Sequence, residues 1–299
     1  MPKIPILVIA GPTASGKSAL AIEMAQCFNG EIVSADSMQI YRGLDIGTAK
    51  VTAEEQAQAV HHLIDLIPMT ASFSVADFVK AADEAILAIH QKGKLPIVTG
   101  GTGFYVKALL GLQNLDFQAS NPEEVALLEK KSLDELVQSL KAGPQSDFIA
   151  TVDLNNKQRV IRALQIQKYG LKNSASRPEY QSLVLAPDWP RQALYDRINA
   201  RVELMFDQGI EKEAQQLYQA GGLSLQAGKA IGYKEFYPYF EGQGDLASVK
   251  AAIQQDSRRY AKRQLTYWRH QIPGLEWLPA DQIQTELPER VSNWQKALG

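Results

Sequence analysis

An apolar run, Ile4 to Ala10, leads directly into Gly11-Pro-Thr-Ala-Ser-Gly-Lys-Ser18, and an apolar helical pattern begins at once behind it. The octapeptide matches G-x-x-x-x-G-K-[ST] at every defined position, and a strand before it with a helix after it is the context in which this pattern cradles phosphate. The glycines let loop N–H groups turn inward, and the helix N-terminus adds the positive end of its dipole. Lys17 supplies a point charge and the Ser18 hydroxyl can hold Mg²⁺. Gly11, Pro12, Thr13, Ala14, Ser15, Gly16, Lys17 and Ser18 are therefore the expected diphosphate-binding set, with Ser18 as the metal contact. The motif is shared with ATP-binding proteins, but what it signals is phosphate rather than ATP.

Through the first third, short β-branched runs alternate with helical patterns, the signature of βαβ units. Strands are expected at Ile4 to Ala10, Glu31 to Ala35, His61 to Leu66 and Leu95 to Thr99. Thr52-Ala-Glu-Glu55 and Ser74-Val-Ala-Asp77 have the capping-box form, the second opening a helix to about Lys92 that Gly93 stops. From about Gly111 the sequence turns polar and Leu-spaced, punctuated by Pro122 and Gly143-Pro144. Ser182 to Ala186 reads as a returning strand, followed by mostly helical sequence to about His270. The expected fold is α/β: a P-loop core with a mostly parallel sheet flanked by helices, at residues 1–112 and 181–299, carrying a helical insertion at 113–180 and a helical C-terminal region.

Composition excludes more than it nominates. With 31 Lys+Arg against 33 Asp+Glu the net charge is −2, so charge alone selects no partner. One cysteine excludes a disulfide framework and, with four histidines, any Cys-rich zinc module. Cys27 lies in the apolar pattern Ala19 to Phe28 and is expected as a small buried hydrophobe. No segment reaches membrane-spanning length and no signal-cleavage pattern follows the first strand, so a cytoplasmic protein without membrane contact is expected. His61 and His62 are adjacent in an expected strand and point to opposite faces, while His90 and His270 lack partners; all four are read as structural.

Further residues can carry chemistry. Asp36 ends the second strand beside the phosphate loop, where it can act as a base, cap a helix or hold a metal-bound water. Thr102, in Gly100-Gly-Thr-Gly103, can bond a phosphate oxygen or simply cap a tight turn. The preceding strand ends in Thr99-Gly100, without the acidic residue that many P-loop NTPases use for Mg²⁺, which weakens an ATPase reading. Arg159 and Arg162, and Arg197 and Arg201, share helical faces that can meet phosphates or remain solvated. Arg258, Arg259, Lys262, Arg263 and Arg269, interleaved with Tyr260, Tyr267 and Trp268, suit nucleic acid or an ordinary amphipathic helix.

Gly11 to Ser18, Asp36 to Gln39, Tyr41 to Lys50, Gly100 to Tyr105, Gln158 to Arg162, Ala230 to Glu235 and Ala261 to Thr266 occur in that order. In this combination, to about Arg269, the chain resembles the bacterial tRNA dimethylallyltransferases. The resemblance implies transfer of a dimethylallyl group from dimethylallyl diphosphate to the exocyclic N6 amine of the adenosine 3′ of the anticodon, in tRNAs reading U-initial codons, with release of diphosphate. It makes Asp36 the general base and Thr102 and Arg201 the other catalytic contacts, with Arg197 a weaker candidate. It makes Asp36, Ser37, Met38, Gln39, Thr102, Gln158, Arg159, Val160, Ile161 and Arg162 the contacts to the tRNA anticodon stem-loop. Mg²⁺ is the implied cofactor, and a monomer is expected. Ser257-Arg258 stands where the family pattern has Thr-Arg. Two other functions compete: a P-loop small-molecule or nucleotide kinase, and a nucleotide-switched RNA-binding protein. Neither accounts for the runs 41–50 and 158–162.

Overall fold

The computed structural model describes residues 3–113, 115, 120–144, 147–170 and 176–298. The remaining positions of the expected insertion, 114, 116–119, 145, 146 and 171–175, lie outside the described residues. The chain divides into two compact units, Met1–Gln113 with Pro178–Gly299, and Asn114–Arg177.

The larger unit begins with β1 (Ile4–Ile9), α1 (Lys17–Cys27), β2 (Gly30–Ser34), β3 (Tyr41–Arg42), α2 (Ala53–Gln58), β4 (His61–His62), β5 (Ile67–Pro68), α3 (Val75–Gln91), β6 (Leu95–Thr99) and α4 (Gly103–Leu109). The smaller unit holds α5 (Pro122–Glu129), α6 (Leu133–Ala142), α7 (Asp147–Ala150) and α8 (Lys157–Tyr169). Its core is built from Leu136, Leu140, Ile149, Val160, Ile161 and Ala163. The larger unit resumes with β7 (Tyr180–Asp188), α9 (Arg191–Asp207), α10 (Ile210–Gln219), α11 (Tyr237–Phe240), α12 (Leu246–Gln271), β8 (Glu276–Pro279) and α13 (Ile283–Leu298).

Six strands form one parallel sheet in the order β4-β2-β6-β1-β7-β8. Helices on both faces explain why β1 and β6 are almost wholly buried and read as continuous apolar runs rather than alternating ones. On one face Leu20, Ala21, Met24 and Ala25 of α1 pack with Leu287 and Val291 of α13. On α3 the buried stripe Phe78, Val79, Ala82, Ile86 and Ile89 follows the helical period. Both capping boxes form: Thr52 with Glu55 and Ser74 with Asp77.

Two expectations change. The strand expected over His61 to Leu66 stops after two residues, because Leu63 and Asp65 take positive φ (64° and 53°) and turn the chain away. The carbonyls of Asp65 and Leu66 instead accept the Arg42 guanidinium at 2.8 and 2.9 Å. Cys27 is exposed, since it is the last residue of α1 and the buried stripe lies further in. Past His270 the chain adds β8, which pairs with Leu185 to Asp188 on β7, and α13, which packs back against α1.

Candidate active site

The chain leaves β1 toward one edge of the sheet and leaves β6 toward the other, which opens a crevice at the carboxyl ends of these neighbours. Three loops meet there: 10–16 after β1, 35–39 after β2 and 100–102 after β6.

The first loop turns into α1 through Gly11 at φ 142° and Gly16 at φ 87°, backbone states that side chains disfavour. Lys17 begins α1, and its ammonium donates to the Pro12 carbonyl at 3.2 Å. Burial lowers the Lys17 pKa to about 8; the charge of Asp36 works against this and that of Arg201 adds to it. Helix α9 lies beside the loop. The Arg197 side chain donates to the Ala14 carbonyl at 2.8 Å and its guanidinium sits 4.4 Å over the Trp189 ring, whose N–H donates to the Ser15 carbonyl at 2.9 Å. Arg201, one turn on, donates to the Thr13 hydroxyl, while its Nε–H is buried with no acceptor. Both arginines of this pair therefore face the loop, and Arg201 is the one with an unsatisfied donor. Burial also lowers the Arg201 pKa.

Asp36 lines a recess together with Lys17, Ser18, Ser34, Gln39, Thr99 and Gly100. One of its carboxylate oxygens accepts the Met38 N–H at 2.9 Å in a local turn, so Asp36 caps no helix. Thr102 does not cap α4 through its side chain. Its hydroxyl accepts the Ser37 N–H at 3.1 Å and lies 3.2 Å from the Ser37 hydroxyl, tying the third loop to the second. Gln39 donates to the Ala49 carbonyl at 3.1 Å.

The run Tyr41 to Lys50 has its own anchor, invisible in the sequence. Glu213 on α10 accepts the N–H groups of Asp45 (2.7 Å), Ile46 (3.0 Å) and Gly47 (2.9 Å), and the Tyr233 hydroxyl at 2.7 Å. Lys50 closes the run from within, donating to the Tyr41 carbonyl, Asp45 and Asp65. An isolated Glu on an amphipathic helix reads as a solvated residue, so nothing flags Glu213 in advance.

In the smaller unit, Val160 and Ile161 are buried in its core. Their side chains pack inside that unit rather than on its surface. The polar members of the run are engaged on the surface: Gln158 with Glu129, Arg159 with Asp153 and Arg162 with Ser120. Along α12, Val249, Ile253, Ser257, Ala261, Gln264 and Trp268 face inward, while Arg259, Lys262, Arg263 and Arg269 are exposed. The basic cluster is thus an amphipathic helix whose outer face remains cationic.

The sequence model described as IPP transferase matches residues 39–271. The chain belongs to the IPP transferase family. It is 60% identical over 97% of its length to the tRNA dimethylallyltransferase of Leuconostoc citreum, of which it covers 98%. Its structure is similar to the full-length tRNA isopentenylpyrophosphate transferase of Bacillus halodurans (TM-score 0.75, 39% identity, 97% and 96% of the two chains covered). A eukaryotic dimethylallyltransferase acting on tRNA superimposes with TM-score 0.81 at 28% identity, over 96% of this chain and 77% of the other. The α/β architecture expected for the IPP transferase resemblance is the one observed.

Proposed function

We propose that this IPP transferase family member transfers a dimethylallyl group from dimethylallyl diphosphate to the N6 amine of the adenosine immediately 3′ of the anticodon in tRNAs reading U-initial codons. The observation that carries the reading is the recess shared by Lys17, Ser18 and Asp36, which sets a cationic phosphate loop beside a carboxylate with one local hydrogen bond.

In this reaction the bond between the allylic C1 and the diphosphate oxygen breaks as the N6–C1 bond forms. An adenine amine is a weak nucleophile because its lone pair is delocalised into the ring, so Asp36 accepts its proton as the bond forms. Thr102 and Ser37 hold each other next to that carboxylate. The departing diphosphate gains charge, and Lys17, the loop N–H groups and the unsatisfied Nε–H of Arg201 stabilise it more in the transition state than in the ground state. Ser18, Ser34, Thr99 and Asp36 line the recess with oxygens, a donor set that suits Mg²⁺ when substrate phosphates and waters complete its shell. Ser18 would hold the ion, which supplies charge neutralisation at the diphosphate when bound.

The adenosine must leave its stack in the anticodon loop to reach the recess, at a cost of a few kcal/mol. The exposed cations of α12, with Gln158, Arg159 and Arg162 of the smaller unit, supply RNA contacts that offset it. On this reading residues 1–112 and 181–299 form the catalytic core, 113–180 form an insertion that grips tRNA, and the protein acts as a monomer in the cytoplasm. Among the described residues no helix is long and apolar enough to cross a membrane.

The test is to incubate the protein with Mg²⁺, dimethylallyl diphosphate and unmodified tRNA, digest the RNA and weigh its nucleosides. Isopentenyl adenosine appearing only when both substrates are present is the expected result. Consumption of ATP without that nucleoside would instead favour a kinase.

A further inference from the structure

Gln264 sits on the inward stripe of α12, and only 6% of its surface is exposed. Its carbonyl oxygen accepts the Thr13 N–H at 2.9 Å, and its amide nitrogen donates to the Gly101 carbonyl at 2.8 Å. One rigid amide thus joins the loop after β1 to the loop after β6. Thr13 is in turn held by Arg201, and Thr102, next to Gly101, is held to Ser37 beside Asp36. The space at residue 101 fits this role: a Cβ there would stand 2.5 Å from the Gln264 amide nitrogen, so any larger residue would push the amide off its acceptor. The Thr13 N–H is also committed to Gln264 rather than to the interior of the phosphate loop.

We infer that Gln264 is a positioning residue that sets the separation between the donor-holding loop and the acceptor-side loop. The inference rests on the donor and base roles proposed for Lys17 and Asp36. Gln264 touches neither substrate. It fixes how far the allylic carbon, carried by the first loop, stands from the amine held beside the second and third. Misplacement by about 1 Å at a reacting centre can cost on the order of a hundredfold in rate. Binding of each substrate alone depends on one loop at a time, so it should survive loss of the tie.

The test uses two variants of the full chain that reach the tie from opposite sides. Gln264→Met keeps the side chain's volume and loses both hydrogen bonds, whereas Gly101→Ala leaves Gln264 intact and displaces it. Each is expected to lower kcat at saturating donor and tRNA by roughly tenfold to a hundredfold, while KM for either substrate moves less than about threefold. The double variant should be no worse than the poorer single, because both remove one interaction. Gln264→Met leaves the Thr13 N–H without its acceptor, so the melting temperature should fall by a few degrees, and kcat measured well below that transition separates positioning from loss of fold. Retention of kcat within about twofold in a folded Gln264→Met protein would overturn the inference. So would a loss confined to the donor KM, or additive losses in the double variant. If Gly101→Ala alone folds, the same kcat and KM criteria apply to it. Failure of the underlying reading looks different, since Asp36→Asn or Lys17→Ala would then keep parent activity whatever Gln264 does.

Discussion

Strand β2 carries a carboxylate near each end, and the two are treated in opposite ways. Glu31, near the start, is 2% exposed and is met by Lys94 at 2.8 Å, His62 at 2.8 Å and Lys92 at 3.1 Å. Burial alone would raise its pKa, but hydrogen bonds from Lys94, His62 and Lys92 hold it down to about 2. Asp36, just past the other end, accepts one local N–H, and the cations nearby are held by other acceptors: Lys17 by Pro12 and Arg201 by Thr13. Taking a partner from a buried, compensated charge such as Glu31 is costly, whereas a partly buried carboxylate left short of partners stays available to a ligand. The contrast also shows in the lysines. At the Glu31 end they retain an anionic partner, whereas at the Asp36 end Lys17 is pulled down to about 8.

Five experiments would break or sharpen this contrast. The largest effect is expected for Asp36→Asn, which should lower turnover by about a hundredfold or more while tRNA binding measured by filter retention persists; parent-like turnover would remove Asp36 as the base. Lys17→Ala should lower kcat/KM for the donor by roughly tenfold to a hundredfold. In the parent protein that same parameter should fall as pH rises through about 8, because the free protein's Lys17 then loses the charge that attracts diphosphate. A donor profile flat from pH 7 to about 9 would count against the cradle.

Glu31→Gln should leave turnover intact and cost about 2 kcal/mol of unfolding free energy at neutral pH, since it weakens charged hydrogen bonds to a buried group. The folded-state pKa lies below the ordinary value, so this stabilisation is present in full above about 4.5 and disappears as pH falls toward about 2. Denaturant melts of parent and variant should accordingly converge in acid; a constant gap would show that packing rather than charge is lost. The smallest effect is expected for Arg159→Ala in the smaller unit, a loss of a few-fold in tRNA affinity with the salt slope reduced by about one. An unchanged slope would mean that this arginine meets no phosphate.

Much of the fold is legible in the sequence because local rules govern it. The strand, phosphate loop and helix from Ile4 to Cys27 follow from an apolar run and two glycines, and both capping boxes form between residues three apart. The brevity of β4 is not legible: Leu63 and Asp65 adopt positive φ where the distant Arg42 binds the carbonyls of Asp65 and Leu66. Nor is the exposure of Cys27, which depends on where the sheet stops covering α1.

At the site the same division holds. Lys17, Ser18, Asp36 and Thr102 stand out by type and by their place at strand ends, which sequence alone determined. That Arg197 and Arg201 both face the phosphate loop, that Glu213 holds the 45–47 backbone, and that Gln264 bridges Thr13 to Gly101 were decided only by tertiary structure. Each of these contacts joins residues more than 160 positions apart. A polar side chain on a helix carries the same local signal whether it meets water or a distant backbone group, and only the packed sheet settles which one it meets.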